Sequence, residues 1–345
     1  MIAAANPLAV EAGAQVLAAG GTAADAAIAI QLMLGLVEPQ SSGLGGGAFL
    51  VYWDADTKTL TTLDGRETAP SAATPTLFQN EAGEPLKFFD AVVGGRSVGV
   101  PGTPGLLAEM HARWGKTPWA DLFQPALGVA RDGFAVSPRL NALIARDGDR
   151  LKTDPVARGY FFDAAGEPLA VGAVLKNPDY ANTLSLLANT GMDAFYSGPL
   201  ADTIVEKVRG AEGNPGVMVA DDLADYRVVE RKPVCVGYRI YEVCGMGPPS
   251  SGGLTVGQIL GLLQPFDMAS MSPDDPQTWR LIGDASRLAF ADRDRYMADS
   301  DFVPMPTKGL LDPAYLAARA ELLRGDMALE NIAPGEPQWD HALNL

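Results

Sequence analysis

Thr22-Ala-Ala-Asp-Ala-Ala-Ile-Ala-Ile-Gln-Leu-Met-Leu-Gly-Leu-Val37, followed by Gly43-Leu-Gly-Gly-Gly47 and Phe49-Leu-Val-Tyr-Trp53, is the stretch on which the fold turns. Its first part reads as a helix. Thr22 and Asp25 stand close to a capping-box pattern, and Glu38-Pro39 ends the run. The run is apolar nearly all round, which predicts a helix buried on most faces, and its many alanines imply close approach to a neighbour. Residues 49–53 are β-formers and predict a strand. Gly43 to Ala48 satisfies G-x-G-x-x-G/A. A dinucleotide fingerprint, however, needs a strand before it and a helix after it, and here the order is reversed. The glycines therefore read as backbone that takes positive φ or lies close to another chain segment.

Upstream, Asn6 is a good N-cap, Pro7 suits the first helical position and Gly20 suits a C′ position. Downstream, residues 59–63 form a second strand. The resulting hairpin delivers Asp64-Gly-Arg-Glu67 to a strand end, where functional side chains are often presented. Residues 103–210 read as mostly helical, with apolar 3.6-type spacing over 105–114, 119–131, 140–145, 180–189 and 200–208. Residues 227–244 alternate and predict another hairpin. Helices are expected over 254–263, 278–297 and 315–323. The stretch from Ala333 to Leu345 shows neither cap nor core pattern. Helices dominate, and the strands are too few for the core they imply. Part of the sheet is therefore expected from sequence outside this chain, and residues 1–345 are taken as a single helix-rich domain.

The net charge is −16 and apolar residues make up 47% of the chain. That is ample for a core, and the acidity disfavours nucleic acid and anionic membrane surfaces. The longest apolar stretch carries Asp25 and Gln31 and is too short to span a bilayer, and Met1-Ile-Ala-Ala-Ala-Asn6 has no basic n-region. Cys235 and Cys244 read more simply as half-buried strand thiols. A disulfide across a tight hairpin is the alternative, and it depends on register.

The chain offers little catalytic equipment of its own. His111 and His341 are its two histidines, neither adjoins a Ser or Cys elbow, and zinc chemistry is poorly supplied. Ser250 and Ser251 lie at a strand–turn–helix junction and read as helix caps. Asp292-x-Asp294 and Asp299-x-Asp301 have a calcium-like rhythm but lack the glycine and terminal Glu of an EF-hand. With Arg293 and Arg295 interleaved, they read as an exposed ion-pair face. Arg66 is the strongest polar candidate. It follows a strand and a glycine, and it sits between Asp64 and Glu67. A guanidinium held by carboxylates is a rigid fork suited to a substrate carboxylate, while composition alone favours a structural salt bridge.

Seven segments in order change this balance: Ala18-Ala-Gly-Gly-Thr-Ala-Ala-Asp-Ala-Ala27, Ser42-Gly-Leu-Gly-Gly-Gly47, Asp64-Gly-Arg-Glu-Thr-Ala-Pro70, Val100-Pro-Gly-Thr-Pro-Gly105, Ala130-Arg-Asp-Gly-Phe134, Ala194-Phe-Tyr-Ser-Gly198 and Pro248-Pro-Ser-Ser-Gly-Gly253. Together they resemble the large subunit of γ-glutamyltranspeptidases. Gly247 departs from that pattern, standing where a third proline is usual. The resemblance implies an α+β fold, a four-layer αββα sandwich of the N-terminal-nucleophile hydrolase type completed by a small subunit from the same precursor. It implies γ-glutamyl acyl transfer and hydrolysis, with glutathione or a γ-glutamyl amide as donor and an amino acid or peptide as acceptor. The nucleophile would be the small subunit's N-terminal Thr, so no catalytic residue is expected here. Arg66 would bind the donor's α-carboxylate. No cofactor or metal is called for. The family's usual location implies the periplasm or secretion, with the cytoplasm left open. A cephalosporin or glutaryl acylase on the same scaffold, and a non-catalytic binding subunit, are the rival readings.

Overall fold

The computed structural model describes residues 1–339, a mixture of helices and small sheets in two compact units. The first comprises residues 1–48 and 65–228. The second comprises residues 49–64 and those from 229 onward. A single domain was the sequence expectation; the chain groups into these two units.

The first unit is built around two capped helices, α1 (Pro7–Ala18) and α2 (Ala23–Val37). Asn6 Oδ1 accepts the Leu8 N–H, and Gly20 takes φ of 90°. The Thr22/Asp25 capping box is complete. α2 buries Ile28, Ala29, Leu32 and Leu36, in line with its sequence pattern. Gly13 of α1 lets the two helices meet, because a Cβ there would lie 2.6 Å from the end of Ile30. Against α2 pack α3 (Thr103–Trp114) and α4 (Gln124–Asp132), and α5 (Pro138–Arg146), α6 (Pro178–Thr190) and α7 (Pro199–Arg209) follow in the same unit. The helix expected over 119–131 is in two parts, a 3₁₀ turn (Trp119–Phe123) and then α4, with Pro125 in the first turn of the latter. Within the mostly helical region Phe134–Ala135 also pairs antiparallel with Val174–Leu175, a bridge too short for any pattern to announce.

Asp25 has a second task besides capping. It is fully buried and accepts the backbone N–H groups of Thr22, Lys116 and Thr117 at 2.9–3.0 Å. Burial pushes its carboxyl up, but these hydrogen bonds outweigh burial and hold it below the usual carboxylate value. A depressed folded pKa contributes stability that is full above the unfolded value, near pH 4, and is lost as pH falls through the folded one. Asp25→Asn is therefore expected to cost about 2 kcal/mol at pH 7, with the gap to wild type shrinking below about pH 4 in denaturant titrations. A gap independent of pH would assign the effect to packing.

The second unit holds a three-stranded sheet in the order β1 (Ala48–Asp54), β2 (Thr59–Gly65), β3 (Val229–Arg231), and a separate hairpin of β4 (Val234–Tyr238) and β5 (Tyr241–Gly245). The sequence put residues 227–244 in a single hairpin. Instead β3 leaves to pair with β2, in the register Thr62↔Arg231 and Asp64↔Val229. Pro233, which has no N–H to give a ladder, marks the break. Three helices complete the unit: α8 (Gly252–Leu263), α9 (Pro276–Tyr296) and α10 (Pro313–Ala320). Leu262, Leu281, Ala285, Leu288, Leu316 and Leu323 form its core.

Cys235 and Cys244 face each other across β4 and β5 and form a disulfide, which corrects the reading of two free thiols. The turn has only two residues, with Arg239 at φ of 56°, and that sets the register. Closing a loop this short in the unfolded chain is worth roughly 2–3 kcal/mol on the chain-entropy account. Cys235→Ser with Cys244→Ser should lower stability by up to that amount in denaturant titrations, and reductant should lower wild type equally and the variant not at all. No helix of the described residues is long and apolar enough to cross a membrane.

Candidate functional site

The chain leaves β2 at Gly65 and enters a cage of glycines. A Cβ on Gly65 would sit 2.6 Å from Leu106 Cβ. On Gly47 it would meet Glu67 N at 2.6 Å and Arg66 Cα at 2.8 Å, and on Gly99 the Glu67 Cβ at 2.9 Å. On Gly102 it would run into Gly65 O and the Tyr226 hydroxyl. None of these four glycines has positive φ. Of the two roles the sequence allowed for the glycine-rich turn, close approach of backbone to backbone is the one realised at Gly47.

Hydrogen bonds lock the cage. Gly46 O accepts the N–H groups of Gly102 and Thr103 at 2.9 and 3.0 Å, and Thr68 and Val100 exchange backbone bonds at 2.8 and 3.3 Å. The Tyr226 hydroxyl donates to Arg66 O at 2.9 Å. Tyr226 is stacked on Tyr196, with centroids 5.5 Å apart. The Tyr196 hydroxyl donates to Pro101 O and accepts from Gly105 N, both at 2.9 Å. Burial pushes the Tyr196 hydroxyl pKa far up, so it stays a neutral donor.

This framework presents the exposed side chains of Arg66 and Glu67. Beside them lies a groove of about 620 Å³, lined by residues that include Gln31, Gln40, Ser42, Gly45 and Glu67. Glu67 borders the groove, whereas Arg66 is not among its lining residues. A guanidinium on a main chain held by these bonds is equipped to receive a carboxylate through two parallel hydrogen bonds. Asp64, the other carboxylate of the motif, is buried and accepts from Arg231 Nε at 2.7 Å. Arg231 also donates to both oxygens of Asp301, at 2.8 and 2.6 Å. Those bonds to Asp301 and Asp64 raise the Arg231 pKa.

The remaining candidates have structural partners. His111 Nε2 lies 2.8 Å from Thr117 O, with the ring edge-on to Trp119. His341 lies outside the described residues. Ser250 and Ser251 do not make the expected cap of α8. Ser250 Oγ accepts from Gly252 N in a local turn, and Ser251 Oγ accepts from Arg293. The exposed ion-pair face expected at Asp292–Asp301 is only partly so. Asp294 pairs with Arg293, but Asp292 is 1% exposed and carries a full set of donors. The one cluster of potential metal ligands among the described residues, Cys235, Glu242 and Cys244, includes both disulfide sulfurs. Tyr196, Tyr226, Gly99 and Gly102 were missed as supports of the site. Gly102 was signalled only by the glycine spacing in Val100-Pro-Gly-Thr-Pro-Gly105 and Tyr196 by the tyrosine in Ala194-Phe-Tyr-Ser-Gly198; Gly99 and Tyr226 carried no signal.

The family model described as Gamma-glutamyltranspeptidase matches residues 9–342. A glutathione hydrolase proenzyme of Bacillus subtilis (strain 168) is 37% identical over 341 residues, covering 99% of this chain and 57% of its own length. The Acylase ACY 1 proenzyme of Pseudomonas sp. (strain SE83) is 37% identical over 328 residues, 94% of this chain and 58% of its own. The chain thus spans less than two thirds of the length of these curated relatives. The crystal structure of Helicobacter pylori gamma-glutamyltranspeptidase superposes with a TM-score of 0.93 at 32% identity, over 99% of this chain and 97% of that one. The seven ordered segments and the whole-chain match agree, and the chain belongs to the gamma-glutamyltranspeptidase family.

Proposed function

We propose that this chain is the large subunit of a self-processed enzyme that transfers or hydrolyses γ-glutamyl groups, with glutathione or a γ-glutamyl amide as donor. The observation that carries the reading is the rigid mount under Arg66, in a chain that matches the family from residue 9 to 342. The guanidinium orients the donor through its α-carboxylate. The Thr at the new N-terminus of the small subunit attacks the γ-amide and forms an acyl-enzyme. Water or an amino-acid or peptide acceptor then releases glutamate or a new γ-glutamyl compound. The partner subunit completes the four-layer αββα sandwich, and the Cys235–Cys244 disulfide suits the periplasm or the exterior.

The Acylase ACY 1 proenzyme, as similar as the glutathione hydrolase, favours a second reading. An arginine receives carboxylate-bearing acyl groups in general, so a glutaryl or cephalosporin acylase would use the same mount. The full precursor, expressed and allowed to mature, is assayed with γ-glutamyl-p-nitroanilide and with glutaryl amides. Turnover of the first over the second supports the γ-glutamyl reading, the reverse supports the acylase, and neither with an intact precursor refutes both.

A further inference from the structure

The segment that carries Arg66 is held beyond its near end. Arg66, Glu67, Thr68 and Ala69 are exposed, so hydrogen bonds rather than packing fix their main chain. Tyr226 donates to Arg66 O, and Thr68 pairs with Val100. Past these contacts the chain turns over Pro70–Ala73, with the Ala73 N–H given to Pro70 O at 2.9 Å. On that turn Asp222 Oδ1 accepts the Ser71 N–H at 2.8 Å, from 151 residues away. The other carboxylate oxygen, Oδ2, accepts the Val219 N–H, also at 2.8 Å.

Asp222 stands on a short helix (Ala220–Ala224) that is anchored in a core. Met218 and Leu223 are fully buried there, in one cluster with Val100, Ala201, Val208 and Tyr226. The groups that grip the segment at residues 66, 68 and 71 therefore belong to one packed body. Capping its own helix accounts for the bond from Val219. The bond from Ser71 reaches a segment that has no part in that helix. A carboxylate suits this double task. It has an oxygen for each N–H, and charge-assisted bonds are about twice as strong as neutral ones. Burial pushes the Asp222 carboxyl up, but the bonds from Ser71 and Val219 outweigh burial and hold it below the usual carboxylate value. It is thus the ionised acid that bridges the two segments at neutral pH.

We propose that Asp222 is a positioning residue for donor binding: it clamps the far end of the 66–71 segment, as Tyr226 clamps the near end, and so fixes the aim of the Arg66 guanidinium. This rests on the reading of Arg66 as the anchor for the donor's carboxylate. An exposed segment held at one end can swing about it. Two parallel hydrogen bonds to one carboxylate need the fork within about 0.5 Å of its productive place. Asp222 acts on the donor only through the main chain that carries Arg66.

The test uses the full precursor, expressed and matured, with γ-glutamyl-p-nitroanilide as donor. Asp222→Asn keeps the shape of the side chain but leaves one acceptor oxygen for two N–H groups. It should raise the donor KM about tenfold and leave kcat within about twofold, because the α-carboxylate is remote from the γ-amide that reacts. Ser71→Pro deletes the N–H from the other side of the bond, at the second position of a turn, where proline is favoured. It spares the bond from Val219, should raise KM likewise, and decides the matter if Asp222→Asn fails to mature. In an Arg66→Ala background either change should lower kcat/KM by less than about twofold, since its effect runs through the guanidinium that is already gone. Wild-type donor KM in both variants, or a loss as large without Arg66 as with it, would overturn the proposal. Wild-type donor kinetics in Arg66→Ala alone would instead refute the donor reading beneath it.

Discussion

Arg66→Ala is expected to reduce kcat/KM for γ-glutamyl-p-nitroanilide by roughly thirtyfold to several thousandfold, the equivalent of about 2–5 kcal/mol for truncating one partner of a charge pair that donor and partner subunit desolvate on binding. The side chain is exposed, so the melting temperature should barely move. Arg66→Lys should rescue little. An ammonium restores the charge but not the planar fork, and two parallel hydrogen bonds to one carboxylate need the fork. A donor lacking the α-carboxylate should be equally poor with wild type and variant, because the contact removed by mutation is already missing. Mature Arg66→Ala enzyme with wild-type donor kinetics would remove this residue from the site.

Gly102→Ala is expected to be more damaging than its single methyl suggests. The added carbon would lie 2.6 Å from Gly65 C and closer still to Gly65 O and the Tyr226 hydroxyl. Two of these neighbours are main chain and cannot rotate away. Relief requires the 65–67 and 100–103 segments to separate, which breaks the bonds from Gly102 and Thr103 to Gly46 O and the bond from Tyr226 to Arg66 O. Overpacking alone costs about 1–3 kcal/mol, and lost buried hydrogen bonds add about 1 kcal/mol each. A loss of about 3 kcal/mol or more is expected in thermal or denaturant melts, with a raised donor KM in whatever enzyme folds. Gly237→Ala is the control, since a Cβ there meets nothing within 4 Å and the residue lies outside the groove lining. Equal stability and equal donor KM in the two variants would mean that the cage does not hold Arg66.

Local chemistry made the first helices readable. Asn6, Pro7, Thr22 and Asp25 act on residues within one turn of themselves, and their caps formed as their spacing predicts. Arg66 stood out for a similar reason, as a charged residue that follows a strand and Gly65 and sits between Asp64 and Glu67. The supports of that residue were hidden by distance along the chain. Tyr226 reaches Arg66 from 160 residues away, and Arg231 reaches Asp64 from 167. No pattern in either segment announces its partner. The disulfide turned on where the hairpin bends, and Arg239-Ile240 carries none of the residues that usually mark such a turn. Asp292 is different, because its burial could have been seen. Leu281, Asp284, Ala285, Leu288 and Asp292 recur at helical spacing on one face, and that face carries the core. The alternation of Asp with Arg near the end of α9 drew the reading towards an exposed surface instead.

The way Arg66 is mounted bears on what the family can become. Four glycines and two tyrosines dictate where the guanidinium emerges, and they do so through main-chain atoms. On the proposed reading, that collar holds the acid end of the acyl group and no more of it. Discrimination between one diacid-like acyl group and another has to be written elsewhere, in surfaces free to vary while the anchor stays fixed. A scaffold so divided can change its clientele by editing those surfaces, without rebuilding the grip.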